Sequence, residues 1–179
     1  QQQNLFLARD RMGIKPLYYA STKEGFYFAS NPQALLATGL FATDIDPVGL
    51  HHQLSLHAVI PAPRTLIQSI RKCRPAHSMN VSPRGEISEL RYWDLTAKRP
   101  ATALSEEEWN NAIHDALMQA VKKRLMIADV PVGVLLSGGL DSSLLVALLA
   151  EAGQRDIRTF SIGFEDQPEE RGNEFEFSD

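Results

Sequence analysis

The residues of this chain that are best suited, by chemical type and by spacing, to bind a ligand are clustered in one short segment, residues 137–143. The segment combines a pair of glycines with three hydroxyls and one carboxylate: Ser137, Gly138, Gly139, Asp141, Ser142 and Ser143. Glycines let backbone amides approach an anion closely, and hydroxyls can add hydrogen bonds. A carboxylate oxygen is a hard ligand of the kind that Mg²⁺ prefers. The segment therefore predicts a phosphate-binding loop with a possible metal ligand in Asp141.

Apolar runs on both sides of the loop predict the elements that would position it. Residues 132–136 predict a strand buried on both faces, and residues 144–149 predict a helix that is cut short by Gly153. The turn between them would carry the unpartnered amides of a helix N-terminus, where the helix dipole favours negative charge.

A second apolar strand is predicted at residues 159–164, after the helix. Strand, helix and strand then form a βαβ unit, whose strands should be parallel with a right-handed crossover. Ligands of such sheets bind beyond the carboxyl ends of the strands. We therefore expect the loop and the pair Ile162 and Gly163 to lie at one edge of the sheet, where a nucleotide could touch both.

Two common phosphate-binding motifs do not fit the loop. No lysine follows the glycines, as a P-loop requires, and the dinucleotide pattern G-x-G-x-x-G is missing. The plain alternative is an ordinary strand–turn–helix connection built from small residues. The loop instead resembles the S-G-G-x-D-S signature of the ATP pyrophosphatases. That resemblance implies cleavage of ATP between its α and β phosphates, with the loop holding the departing pyrophosphate.

Composition excludes several other classes of protein. The chain has 179 residues, 44% of them apolar and 22% charged, which is ordinary for a globular protein. A net charge of -4 gives no broad attraction to nucleic acid or to anionic membranes. No apolar run approaches the ~20 residues of a membrane span. Nothing at the start is typical of a secretory signal, and the single cysteine, Cys73, fits a reducing compartment, so we expect a cytoplasmic location.

The sequence before the loop predicts a separate domain of mixed structure. Strands are expected at residues 5–8, 17–20 and 26–29, a second hairpin at residues 78–92, and helices that begin at Asn31–Pro32 and Asp46–Pro47. A capping box at Ser105 and Glu108 begins a longer helix through Ile127, whose apolar residues, Trp109 among them, are expected in the core. We therefore divide the chain into residues 1–97, a linker at 98–104, and residues 105–179.

Three earlier stretches carry a further family resemblance. Residues 8–19 look like the late segment of class II glutamine amidotransferase domains, and residues 28–30 followed by 34–36 resemble the next strand and helix of the same domain. Residues 129–136 are similar to glutamine-hydrolysing asparagine synthetases. The order of these blocks is the asparagine synthetase arrangement. The resemblance implies an α+β and α/β fold: the rear part of an N-terminal-nucleophile (αββα) glutaminase domain, then the start of a Rossmann-like, parallel-sheet ATP pyrophosphatase domain. His51–His52 and residues 56–65 and 174–179 also look like N-acetylglutaminylglutamine amide synthases, which are relatives that amidate a dipeptide.

The resemblance implies roles for particular residues. The loop residues would bind pyrophosphate, with Asp141 reaching it through Mg²⁺, and Leu135 and Ile162 would offer backbone groups to the adenosine moiety. The implied substrates are ATP, glutamine and an acceptor carboxylic acid, which is adenylated and then attacked by ammonia; a homodimer is also compatible. The alternatives are a non-catalytic module that binds a nucleotide or a partner, and another amidating enzyme with the same loop.

The chain also departs from the family pattern. It begins with Gln1, whereas a class II glutaminase uses an N-terminal cysteine, and Cys73 lies far inside the sequence. We therefore expect no catalytic residue in this chain, which would be an internal fragment and inactive by itself. Cys73 lies between two basic residues, so it would be reactive if exposed and inert if buried. Arg9 and Asp10 are predicted to be structural, as a buried ion pair that shapes a loop.

Overall fold

Residues 3–99 and 102–163 are described by a computed structural model of the chain, in which they divide into two units, Gln1–Lys98 and Arg99–Asp179. Both units mix helices and strands. The first contains β1 (Leu5–Ala8), β2 (Tyr18–Ser21), β3 (Phe26–Ala29), α1 (Pro32–Leu36), α2 (Pro47–Ser55), β4 (Arg71–Lys72), β5 (His77–Val81) and β6 (Ile87–Arg91). The second contains α3 (Glu106–Ile127), β7 (Gly133–Leu135), α4 (Leu140–Glu151) and β8 (Arg158–Phe160).

The first unit is built from two antiparallel sheets of three strands each. Their strand orders are β1-β5-β6 and β3-β2-β4, so both predicted hairpins, β2–β3 and β5–β6, are confirmed. One core cluster consists of Ala20, Leu35, Phe41 and Ile70, which are at most 8% exposed. The two sheets are also joined by a polar contact, in which the Tyr19 hydroxyl donates to Glu89 Oε1 at 3.2 Å. Burial is the main reason that the pKa of Tyr19 rises to about 12.

Local sequence signals set the starts of three helices. Asn31 Oδ1 accepts from the Ala34 amide at 2.8 Å at the start of α1. Asp46 Oδ1 accepts from the amides of Val48 and Gly49 at the start of α2. Ser105 begins α3 with both bonds of a capping box. These caps confirm the predicted helix starts, since a side-chain oxygen replaces the missing helical partner.

The second unit packs α3 and α4 with a pair of parallel strands. The pairing of β7 with β8 runs in register from Gly133–Arg158 to Leu135–Phe160 and confirms the predicted parallel βαβ arrangement. Its core consists of Met118, Val121, Val134, Leu148 and Leu149.

Two predictions of burial in the second unit are wrong. Strand β7 is not buried on both faces: Val134 is 7% exposed, but Leu135 is 70% exposed. Trp109 and Ile113 are also half exposed, because the residues of α3 that enter the core are Met118 and Val121, further along the helix. A helical spacing of apolar residues identifies a face, but the neighbouring elements decide how much of that face is covered.

In the described part of the chain, no helix has the length and apolar character needed to cross a membrane. The subfamily resemblance at residues 174–179 and the last residue of the second predicted strand, Phe164, lie outside the described residues.

Candidate functional site

Residues 137–143, called the glycine loop below, lead from the end of β7 into the first turn of α4. Gly138 has a φ of +77°, in the left-handed region that glycine adopts without the steric cost of a Cβ. Gly139 is the N-cap of α4 in an extended conformation, with φ -75° and ψ 162°. The predicted strand–glycine turn–helix connection is therefore present at the predicted position.

Serine hydroxyls fix the shape of this loop from inside. Ser142 Oγ donates to the Gly139 carbonyl at 3.0 Å and accepts from the Ser137 amide at 3.3 Å. It also lies 3.2 Å from Ser137 Oγ, which accepts from the Gly139 amide at 3.4 Å. Ser142 is half-buried, whereas Ser137 and Ser143 are exposed. Ser142 thus connects the first turn of α4 to the loop, while Ser137 and Ser143 are exposed to solvent.

The N-terminus of α4 carries no capping side chain. Its first helical bond runs from the Ser143 amide to the Gly139 carbonyl at 3.1 Å, so the preceding amides of the first turn have no helical acceptor. The other three helices of the described chain are each capped by a side-chain oxygen. The dipole and these amides favour an anion at the loop.

Asp141 is the single acidic residue in the first turn of α4, and it is exposed. In the described residues no group of three or more histidine, cysteine, aspartate or glutamate side chains could form a metal cage. One carboxylate beside a phosphate-type site is nevertheless a common arrangement for Mg²⁺, which keeps several waters and binds substrate phosphates. The donor set of the loop therefore fits Mg²⁺ carried by a polyphosphate rather than a metal held by protein alone.

The ends of the two parallel strands meet beside the loop. The Leu136 amide donates to the Phe160 carbonyl at 2.8 Å, and Ser161 Oγ donates to the Leu136 carbonyl at 2.7 Å. A cavity of about 120 Å³ lies here, lined by Leu135, Leu136, Ser137, Phe160 and Ile162. The structure thus brings together three of the residues selected from the sequence, Leu135, Ser137 and Ile162. Gly163 does not line this cavity.

Two residues of this strand pair and its ends were not selected from the sequence. Ser161 bridges the strand ends through its side chain. Gly133 lies opposite β8, where an added Cβ would be 2.6 Å from Phe160 Cε2 and 3.2 Å from the Arg158 carbonyl oxygen. A glycine inside a predicted strand is a signal of close backbone approach and could have identified Gly133. The role of Ser161 depends on the strand register, so no local pattern indicates it.

The prediction of an ion pair between Arg9 and Asp10 is wrong. The Arg9 guanidinium donates to the carbonyls of Lys15, Cys73 and Gly13 at 2.7–3.0 Å. The Asp10 carboxylate accepts from the amides of Ile14 and Lys15, both at 2.9 Å, and these bonds hold its pKa below the ordinary value. Among the described residues no salt bridge joins the two side chains. Both shape the loop through its backbone, which offers more partners than they offer each other.

Cys73 is buried, with 1% of its surface exposed. Burial raises the pKa of its thiol, and this effect outweighs the neighbouring guanidinium groups of Arg9 and Arg74, which lower it. The flanking basic residues therefore do not make Cys73 a reactive thiolate.

Two family models match the chain. The model for the glutamine amidotransferase domain matches residues 1–93, and the model for asparagine synthase matches residues 112–179.

Curated proteins with similar sequences include three asparagine synthetases. Asparagine synthetase [glutamine-hydrolyzing] 1 of Bacillus subtilis is 36% identical over 163 residues, which is 91% of this chain and 25% of that protein. Asparagine synthetase [glutamine-hydrolyzing] 3 of the same organism is 32% identical, over 90% of this chain and 26% of its own length. A putative asparagine synthetase [glutamine-hydrolyzing] 2 of Methanocaldococcus jannaschii is 33% identical, over 93% of this chain and 32% of its length. The chain thus spans about a quarter to a third of the length of these relatives.

Proposed function

The chain belongs to the glutamine amidotransferase domain family, and from this premise we propose that it is part of an ATP- and glutamine-dependent amide ligase of the asparagine synthase type. We also propose the finer architecture: the two antiparallel sheets of the first unit belong to an αββα glutaminase fold. The parallel pair β7–β8 begins a Rossmann-like sheet.

One observation carries the proposal, namely the loop between β7 and α4. It presents first-turn amides with no capping side chain, directly at the carboxyl end of a parallel strand pair. An anion placed there gains hydrogen bonds from backbone groups that are already oriented, and it interacts favourably with the helix dipole. The β and γ phosphates of ATP match this chemistry, and the small cavity at the strand ends lies on the side where the adenosine would sit.

We propose the following roles for the residues of the loop. Ser137, Gly138, Gly139, Ser142 and Ser143 would bind the pyrophosphate part of ATP, and the internal hydrogen bonds of Ser142 would also hold the loop in shape. Asp141 would hold Mg²⁺, whose positive charge would offset the negative charge of the phosphates. Leu135, Ile162 and Gly163 would contact the adenosine.

The proposed reaction has two steps. A carboxylate oxygen of the acceptor acid forms a bond to the α-phosphorus of ATP, and the bond to the β-phosphate bridging oxygen breaks, which releases pyrophosphate. The loop would stabilise the negative charge that develops on this leaving group. Ammonia from glutamine then attacks the activated carbonyl carbon, the bond to AMP breaks, and an amide forms. Aspartate or a dipeptide carboxylate would be the acceptor acid, and we place the enzyme in the cytoplasm, with a homodimer as its proposed assembly.

Calorimetric titration of the chain with ATP, with and without Mg²⁺, tests this proposal. We expect Mg²⁺-dependent binding of ATP and competition by inorganic pyrophosphate. Asp141→Asn should lose the dependence on Mg²⁺. Asp156→Asn removes the same charge from the connection before β8 and serves as the control that should bind as the unmodified chain does. Equal binding by both variants, or no competition by pyrophosphate, would contradict the proposal. In a full-length ligase, formation of ADP instead of AMP would exclude the reaction.

A further inference from the structure

We propose that Ser161 is a positioning residue for the adenosine end of the nucleotide, because its hydroxyl satisfies the Leu136 carbonyl and thereby spares the backbone amide of Ile162 for the ligand. This inference rests on the proposed function and assigns a role within the same site. Ser161 itself need not touch the nucleotide.

The strand ladder supplies the first argument. In a parallel pair, a residue of one strand donates its amide to one residue of the neighbour and accepts with its carbonyl from the residue two positions further along. The Leu136 amide donates to the Phe160 carbonyl at 2.8 Å, so the regular continuation would have the Leu136 carbonyl accept from the Ile162 amide. The carbonyl instead accepts from Ser161 Oγ at 2.7 Å, and the paired register ends at Leu135–Phe160.

The position of this bond supplies the second argument. Leu136 and Ile162 both line the cavity of about 120 Å³ at the strand ends, together with Ser137 of the glycine loop. The side-chain bond holds the two strand ends together where the backbone ladder stops. Among the described residues no sheet bond engages the Ile162 amide, and Ile162 lines the cavity, where a heterocyclic acceptor such as a purine nitrogen could use that amide.

Hydrogen exchange of the whole chain without nucleotide tests the geometric part. Ser161→Val removes the hydroxyl. Ser161→Thr keeps the hydroxyl in a side chain of nearly the same size as that of valine. We expect the Ile162 amide to exchange quickly in the unmodified chain and in the threonine variant. In the valine variant it should become protected, because the Leu136 carbonyl is left to capture it. Thr159→Val removes a hydroxyl two residues earlier in β8 and should change nothing. Protection of Ile162 in the unmodified chain would overturn the inference.

Binding of AMP and of inorganic pyrophosphate tests the functional part. Ser161→Val should weaken AMP binding about three- to tenfold, the range expected for one hydrogen bond, and leave pyrophosphate binding unchanged. Ser161→Thr should restore AMP binding, which a merely structural loss would not predict. Unchanged AMP affinity in the valine variant overturns the role of Ser161 but leaves the proposed function intact. Failure of the unmodified chain to bind either probe overturns both.

Discussion

At the scale of single residues, the glycine loop depends on one backbone angle. Gly138 has a φ of +77°, and the turn that delivers Gly139 to the N-cap of α4 requires this left-handed conformation. A residue with a Cβ pays roughly 1 kcal/mol to adopt it. The loop can relieve that cost by changing shape, and a change of shape would move the amides that we propose for pyrophosphate binding.

Gly138→Ala should therefore weaken the binding of inorganic pyrophosphate. Gly153→Ala is a matched control, since Gly153 also has a positive φ, +92°, lies in the same unit after α4, and has open space around its Cβ position. We expect both variants to lose roughly 1 kcal/mol of unfolding free energy in urea titrations. Calorimetry should show reduced pyrophosphate affinity for Gly138→Ala alone. Equal affinities would remove the loop from the binding site.

The burial of a single residue also determines the reactivity of Cys73, the one cysteine of the sequence. Cys73 is 1% exposed, and burial raises the pKa of its thiol, so little thiolate is present and reagents cannot reach it. We expect a disulfide reagent to label the native chain very slowly at mildly alkaline pH and to label it completely in denaturing urea. Rapid labelling of the native chain would show that the segment after β4 opens readily. A free cysteine at equal concentration provides the reference rate.

At the scale of secondary structure elements, one polar contact joins α3 to α4 outside their apolar core. His114 Nε2 lies 2.9 Å from Glu151 Oε2, and Asp115 lies 3.7 Å from the other ring nitrogen. The hydrogen bond to Glu151 and then the charge of that carboxylate raise the pKa of His114 above its ordinary value of 6.5. A histidine with a raised pKa in the folded state stabilises the fold when it is protonated.

The pH dependence of this contribution has a definite sign. It is fully present below about pH 6.5, the pKa of an unfolded histidine, and is lost as the pH rises through the higher pKa of the folded state. We expect the difference in thermal midpoint between the unmodified chain and His114→Asn to be largest near about pH 6 and to shrink toward about pH 8.5. Glu151→Gln should reduce the same dependence, because only the smaller effect of Asp115 on the pKa of His114 would remain. A difference that grows with pH would contradict this account.

The sequence predicts elements well where the signal is local. The caps at Asn31, Asp46 and Ser105 each need only a side-chain oxygen and an amide two or three residues later, so residue types at fixed spacing suffice. The parallel pairing of β7 and β8 also follows, because a strand, helix and strand within a short span leave few other topologies.

Burial and side-chain roles at the site depend on distant neighbours and are predicted less well. Leu135 has an apolar side chain inside an apolar run, yet it is 70% exposed because the opposite face of β7, at Val134, enters the core. Trp109 fits the periodicity of a core helix, but it lies more than two turns before Met118 and Val121, the residues of α3 that enter the core. Ser161 becomes recognisable only once the register places it beside the Leu136 carbonyl. These outcomes require the pairing partner, which no single stretch of sequence encodes.

At the scale of the whole molecule, each unit has its own buried cluster. The cluster with Ile70 draws its members from the first unit, and the cluster with Leu148 draws its members from the second. Both side chains are at most 2% exposed. The chain also carries one tryptophan in each unit, Trp93 and Trp109, so the two clusters can be followed separately by fluorescence.

Truncation of either core residue should act on the tryptophan of its own unit. Ile70→Ala or Leu148→Ala removes buried methyl groups and leaves a cavity, at a cost of about 2–5 kcal/mol. In a Trp109→Phe background, where Trp93 reports, Ile70→Ala should lower the urea midpoint and Leu148→Ala should leave it nearly unchanged. In a Trp93→Phe background the pattern should reverse. If both truncations shift both reporters equally, the two clusters unfold as one cooperative unit, and the glycine loop then depends on the first unit for its stability.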